Sequence, residues 1–329
     1  MKLPLESPHL RAPPDGIAHR DGAAMQWLIT PDSVTLRAAF WNAPAAGAKG
    51  TVILLQGRSE FIEKYREVIG ELSERCFGVV TFDWRGQGGS ERQLRNPAKG
   101  HVEDFADYLM DLDTIVAEME RRNLPRPWSI LAHSMGGCIA LLALARGPSP
   151  FERAVLSSPF VAVAGWGGSI LARGVARTLA SLGLSQMFVP GGSSGSRMTG
   201  PFENNPFTRD PDRYTTMKAW LAEHPELGIG DPTIGWVAAA FDANESFDGE
   251  DFGAKNRTPI LILAAGADTV VSSSASQALA QRMRGSSAIE LPGARHEILM
   301  ETDATRALFW RAFDAFVARA ENIGEQLTS

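Results

Sequence analysis

Two cysteines in 329 residues, Cys76 and Cys138, leave no material for a disulfide framework, so a reducing compartment is expected. No run of about 18 apolar residues occurs, and no helical membrane span is expected. Met1 to Asp15 is proline-rich and broken by Glu6, His9 and Arg11, without the apolar stretch of a secretory signal. A cytoplasmic location follows as the expectation, with peripheral contact at the inner membrane face left open. Basic residues are not in excess: the net charge of -6 argues against nucleic acid as a partner, because phosphate binding needs a basic face. No His-Glu-x-x-His or comparable metal spacing appears. The glycine-rich stretch Asp83 to Ser90 lacks a Walker lysine and opens no helix, so it reads as a structural turn. No metal and no cofactor are expected, and nothing in the sequence sets the oligomeric state.

A hydrophobic content of 44% with 21% charged residues is that of an ordinary soluble globular chain, long enough for one large domain with an insertion. Met25 to Ile29 and Val34 to Trp41 flank the turn Thr30-Pro31-Asp32-Ser33 and read as a hairpin. Short apolar runs at Thr51–Leu55, Val79–Phe82, Trp128–Leu131, Ala154–Leu156, Ile260–Ala264 and Ala288–Leu291 read as strands. Helical spacing lies between them, at Phe61–Cys76, Val102–Arg122, Cys138–Arg146, Ala275–Met283 and Ala304–Ala320. Strands alternating with helices imply an α/β fold, a mostly parallel sheet covered on both faces, here with an antiparallel N-terminal edge. In such sheets function gathers at the carboxyl ends of the strands.

Those ends carry Gln56-Gly57-Arg58, Asp83, Ser134, Ser157-Ser158, Asp268 and His296. Ser134 sits in Ala132-His133-Ser134-Met135-Gly136, between an apolar run and an alanine-rich helix. A serine at such a turn stands at a helix N-terminus, where amides and the helix dipole stabilise an oxyanion. Serine needs a base, and the base needs a carboxylate. Of six histidines, His9 and His19 lie in the N-terminal stretch, and His101 is expected to bond locally. His133 adjoins the serine but is expected to point elsewhere on the turn, and His224 falls in the insertion. His296, after the last strand, is the candidate base, and Asp268 the candidate acid. The chain order Ser134, Asp268, His296 is that of the α/β hydrolases. The oxyanion donors are expected to be the backbone amides of Met135 and Arg58.

The motifs resemble the monoacylglycerol lipase and lysophospholipase branch of the α/β-hydrolase superfamily, the serine aminopeptidase-like hydrolases. The resemblance rests on Gln56-Gly57-Arg58 with Glu60 to Tyr65, Asp83-x-Arg-Gly-x-Gly-x-Ser90 and His133-Ser134-Met135-Gly136-Gly137. It continues in Asn205-Pro206-Phe207-Thr208-x-Asp210, Gly230-Asp231-Pro232-Thr233-x-Gly235-Trp236, Gly266-Ala267-Asp268 and His296-Glu297-Ile298-Leu299. It spans Trp27 to Val317, and Gly57-Arg58 with His296-Glu297-Ile298-Leu299 brings it nearer the bacterial lysophospholipases. The family usually has His where Gln56 stands and Gly where Ala132 stands, so the turn must accommodate a methyl group. The resemblance implies a carboxyl-ester hydrolase acting on a single-chain lipid ester.

Residues 160–255 break the strand–helix alternation and are expected to form a helical lid. It would interrupt a core of residues 25–159 and 256–322, with 1–24 as an N-terminal extension. Helical patterns fall at Ile170–Leu182, Arg213–Ala222 and Gly235–Phe241. The lid aromatics Trp166, Phe207 and Trp236 are candidate acyl-pocket residues. Two other functions stay open: an aminopeptidase or amidase in which Glu203, Glu223 or Asp231 captures an amine, and a non-catalytic binding protein of the same fold.

Overall fold

A computed structural model describes residues 22–44, 47–165 and 170–327. Most of the expected N-terminal extension and the candidate Trp166 therefore lie outside the described residues. Eight strands form one sheet: β1 (Ala24–Ile29), β2 (Thr35–Trp41), β3 (Thr51–Leu55), β4 (Gly78–Phe82), β5 (Trp128–His133), β6 (Phe151–Ser157), β7 (Ile260–Ala265) and β8 (Ser286–Leu291). Their order across the sheet is β1-β2-β4-β3-β5-β6-β7-β8. β1 pairs antiparallel with β2 and β2 with β4, whereas every other pairing is parallel.

The central strands are apolar throughout because both faces are covered. Successive residues alternate between two cores, as the period of a strand requires. Ile53, Leu55, Ile130, Ala132, Ile260 and Ile262 face one core. That core is completed by α2 (Ala106–Arg121), α3 (Met135–Ala145) and α7 (Ser273–Arg282). Val52, Leu54, Leu131, Leu261 and Leu263 face the other, against α1 (Arg66–Glu74) and α8 (Asp303–Leu327). The helix expected from Phe61 begins instead as a 3-10 turn, Ile62–Tyr65, before α1. The Ile62 amide is drawn to the Asp83 carboxylate (2.9 Å), and Glu63 is tied to Arg37, which fixes this segment in a tighter turn.

Between β6 and β7 the chain makes a long excursion containing α4 (Ile170–Leu179), α5 (Pro211–Glu223) and α6 (Ile234–Ser246), with no sheet strand among the described residues. The three helices sit differently. α6 is part of the main core, through Trp236, Ala239, Ala240 and Ala243. α5 rests on a smaller cluster, where Met217 and Leu221 meet Phe61 and Met300. α4 leaves Leu171 and Val175 in solvent, 77% and 50% exposed, and Leu182 beyond its end is 69% exposed.

Candidate active site

β5 ends at His133, and α3 begins at Met135. Ser134 between them has φ 49° and ψ -114°, a left-handed conformation that costs a non-glycine residue about 1–3 kcal/mol. Surrounding bonds hold it there. The Ser134 amide donates to Ser157 O (3.1 Å), and its carbonyl accepts from Cys138 N and Phe160 N. Gly136 has to be glycine, because a Cβ there would lie 2.4 Å from Leu55 O. The methyl of Ala132 meets no such limit: it is buried in the core facing α2 and α3.

His296 follows β8, and Asp268 follows β7. The structure brings both to Ser134. Ser134 Oγ lies 3.0 Å from His296 Nε2, and His296 Nδ1 lies 2.8 Å from Asp268 Oδ2. A carboxylate only accepts, so Nδ1 carries the proton and Nε2 is left to accept from the serine hydroxyl. Asp268 Oδ1 accepts from the amides of Val270 (2.8 Å) and Val271 (3.0 Å). Burial alone would raise the Asp268 pKa, but the His296 bond and these amides outweigh it and hold the carboxyl below its ordinary range.

The two candidate oxyanion amides share a property. The amides flanking Arg58 are occupied: Gly57 N by the Glu60 carboxylate, Ser59 N by Gln87 Oε1 (3.3 Å). Among the described residues, neither Arg58 N nor Met135 N donates to a protein acceptor.

Behind these residues lies a buried polar network that the sequence reading missed. Glu60 Oε1 accepts from Lys64 Nζ (2.5 Å) and lies 2.9 Å from His133 Nδ1, and Oε2 accepts from Tyr65 OH (2.5 Å) and Gly57 N. Lys64 also reaches Glu297 Oε1 (2.7 Å), next to His296, and His133 Nε2 lies 3.3 Å from the His296 carbonyl. One ammonium thus ties the loop after β3 to the loop after β8. Glu60, His133 and Glu297 converge as metal ligands do, but the Lys64 ammonium already supplies the cation. Burial opposes the charged forms of Glu60 and Lys64. Attraction overcomes it, from Lys64 and His133 on Glu60 and from Glu297 and Glu60 on Lys64, pushing Glu60 well below the carboxylate range and Lys64 up. The signal in the sequence was the Glu60 to Tyr65 stretch, which carried resemblance but no partner.

The Asp83 to Ser90 turn is structural, as expected. Asp83 binds Arg37 Nε (2.7 Å), Ile62 N and Gly89 N (2.6 Å), and at Gly88 (φ +55°) a Cβ would fall 2.2 Å from Asp83 Cγ. His101 has the local neighbour expected, the Glu103 carboxylate 3.8 Å from Nε2, but its hydrogen bond runs farther, from Nδ1 to Thr233 Oγ1 (2.8 Å), the N-cap of α6. His133 points elsewhere than to Ser134, as expected, and its two ring nitrogens lie against the Glu60 carboxylate and the His296 carbonyl. Of the lid candidates, Trp236 is 8% exposed, stacks on Phe160 and donates from Nε1 to Tyr108 OH (3.1 Å). Phe207 is partly buried beside Met300, and its carbonyl accepts from Glu297 N (2.8 Å).

A mostly parallel eight-stranded sheet with this order, and a serine, an acid and a histidine after its fifth, seventh and eighth strands, is the α/β-hydrolase fold. The chain belongs to the serine aminopeptidase S33 family of that fold, whose family model matches residues 46–303. It is 32% identical to lysophospholipase L2 of Escherichia coli K12, over 82% of this chain and 80% of that protein. It is 27% identical to the monoacylglycerol lipase of Mycolicibacterium smegmatis, over 79% of this chain and 85% of that one. A soluble variant of monoglyceride lipase from Saccharomyces cerevisiae, solved with a substrate analogue, superposes with a TM-score of 0.71 over 90% of this chain and 96% of that chain. At 18% identity, that likeness is one of fold alone.

Proposed function

We propose that this protein is a serine esterase that hydrolyses single-chain lipid esters, lysophospholipids or monoacylglycerols, through an acyl-enzyme. The observation that carries the reading is the relay from Ser134 Oγ through His296 to Asp268, at 3.0 and 2.8 Å. His296 takes the Ser134 proton as the hydroxyl attacks the ester carbonyl, then returns it to the departing alcohol. Asp268 fixes the ring and stabilises the imidazolium. The Arg58 and Met135 amides receive the tetrahedral oxyanion. Water then enters by the same route and releases the fatty acid. The lipid substrate class rests on the relatives, which are lysophospholipases and monoacylglycerol lipases by name.

The peptidase alternative has little to stand on. Asp231 is taken up by Arg197 Nε (2.6 Å) and Ser193 N, and Glu203 and Glu223 are exposed, so none is a buried free carboxylate awaiting an amine. A panel of monoacylglycerols, lysophospholipids, nitrophenyl esters and aminoacyl anilides tests the proposal. Turnover of the lipid esters is the expected result, and preference for the anilides would sink it.

The exposed apolar side chains of Leu171, Val175 and Leu182 support a peripheral lipid contact through the excursion, which serves as a lid of residues 160–255. No helix among the described residues is long and apolar enough to cross a membrane. Co-sedimentation with phosphatidylcholine vesicles should weaken by roughly tenfold in the Leu171→Asp, Leu182→Asp double variant. Undiminished binding would remove α4 from the contact.

A further inference from the structure

Arg58 lies on the loop after β3, and its own amide is one of the two proposed oxyanion donors. Its side chain raises a separate question. The guanidinium lies over the Trp236 ring, 5.0 Å from the centroid. It donates from Nη2 to Gly230 O (3.1 Å) and from Nη1 to Ser59 Oγ (3.1 Å). Its Nε is buried without a partner. Both acceptors are neutral, and among the described residues no carboxylate pairs with it. The nearby Asp231 is held by Arg197 and the Ser193 amide instead. Three other buried cations do have anions: Arg37 has Glu63 and Asp83, Arg85 has Asp111 and Asp32, and Lys64 has Glu60 and Glu297. Burial without a counter-charge is costly, and here it depresses the Arg58 pKa to about 10, a value that still leaves the group charged at neutral pH. The residue as a whole is half-buried.

We infer that the Arg58 guanidinium receives the phosphate of the substrate's leaving group, so that lysophospholipids are preferred over neutral monoacylglycerols. This rests on the esterase reading above. In a lysophospholipid only the glycerol backbone separates the phosphodiester from the scissile ester. A side chain rooted beside the oxyanion amide spans a comparable length. Nη1 and Nη2 each carry a second N–H without a protein acceptor among the described residues, and a phosphate is the anion whose geometry suits such a pair. The Trp236 face lends the cation support without neutralising it.

The test compares kcat/KM for 1-lauroyl lysophosphatidylethanolamine and 1-lauroylglycerol, which share an acyl chain, in the wild type, Arg58→Lys and Arg58→Met. The wild type should favour the phosphate ester. In Arg58→Met that ratio should fall roughly 10–100-fold, whatever the absolute loss, and Arg58→Lys should keep much of it. A proportional loss on both esters would overturn the inference, as would a wild type without preference. If Arg58→Met does not fold, product inhibition of the wild type decides: glycerophosphoethanolamine should inhibit at far lower concentration than glycerol, and equal inhibition overturns the idea. Laurate inhibition relieved by Arg58→Met, with the ester ratio unmoved, would assign the guanidinium to the fatty-acid carboxylate and likewise overturn it. Failure of the esterase reading looks different: neither lipid is turned over, and a fluorophosphonate does not label Ser134.

Discussion

Ser134→Ala should fold normally, take up no fluorophosphonate label and lose ester turnover by on the order of 10⁶-fold. The fold survives because the substitution keeps Cβ. Alanine meets the same φ of 49° that serine meets, and the bonds imposing it run through the backbone: Ser134 N to Ser157 O, and Cys138 N and Phe160 N to Ser134 O. Only the hydroxyl is lost, together with its 3.0 Å contact to His296 Nε2. His296 then has no proton to take, and the proposed oxyanion amides have no covalent intermediate to stabilise. The measurements are intact-protein mass spectrometry after probe exposure, and thermal melting to show that the fold is kept. Stoichiometric labelling of the folded variant would move the nucleophile elsewhere.

Much of this site could be read from sequence because its parts lie at strand ends, and buried strands announce themselves as apolar runs. The runs at Thr51, Trp128 and Ile260 matched strands to within two residues. Boundaries slipped where ladder bonds continue through polar residues: β6 begins at Phe151, not Ala154, because pairing with β5 carries through Arg153. Strand order was less accessible. That β4 lies between β2 and β3 depends on a crossover that no local pattern encodes. The Glu60–Lys64–Glu297–His133 network was opaque for a related reason. Its members come from three segments far apart in sequence, and a lysine or glutamate in isolation reads as solvated surface. Arg58 was read for its amide and as part of a motif, not for its charge, since an uncompensated charge is visible only once every neighbour is placed. The excursion was legible as an interruption, but not in its division of labour. Its three helical patterns look alike in sequence, yet α6 is built into the main core while α4 leaves Leu171 and Val175 in water.

Asp268→Asn should lower kcat by on the order of 10⁴-fold with little change in KM, and the reason is a proton on the wrong nitrogen. Asp268 Oδ1 is committed to the amides of Val270 and Val271, at 2.8 and 3.0 Å. An asparagine in this position keeps its carbonyl oxygen on those two donors, because turning the amide would set its NH₂ against them. The NH₂ then occupies the place of Oδ2, facing His296 Nδ1 at what was a 2.8 Å contact. A donor there requires Nδ1 to accept, which puts the ring proton on Nε2, and Nε2–H cannot take a proton from Ser134. The variant loses the general base without losing the nucleophile, the amides of Arg58 and Met135, or the shape of the site, so substrate binding is spared. Pre-steady-state acylation separates this outcome from a slow deacylation. The tautomer itself is readable from the imidazole nitrogen shifts of ¹⁵N-labelled histidine. A near-normal kcat, or an Nδ1–H tautomer persisting in the folded variant, would mean that another acceptor orients His296.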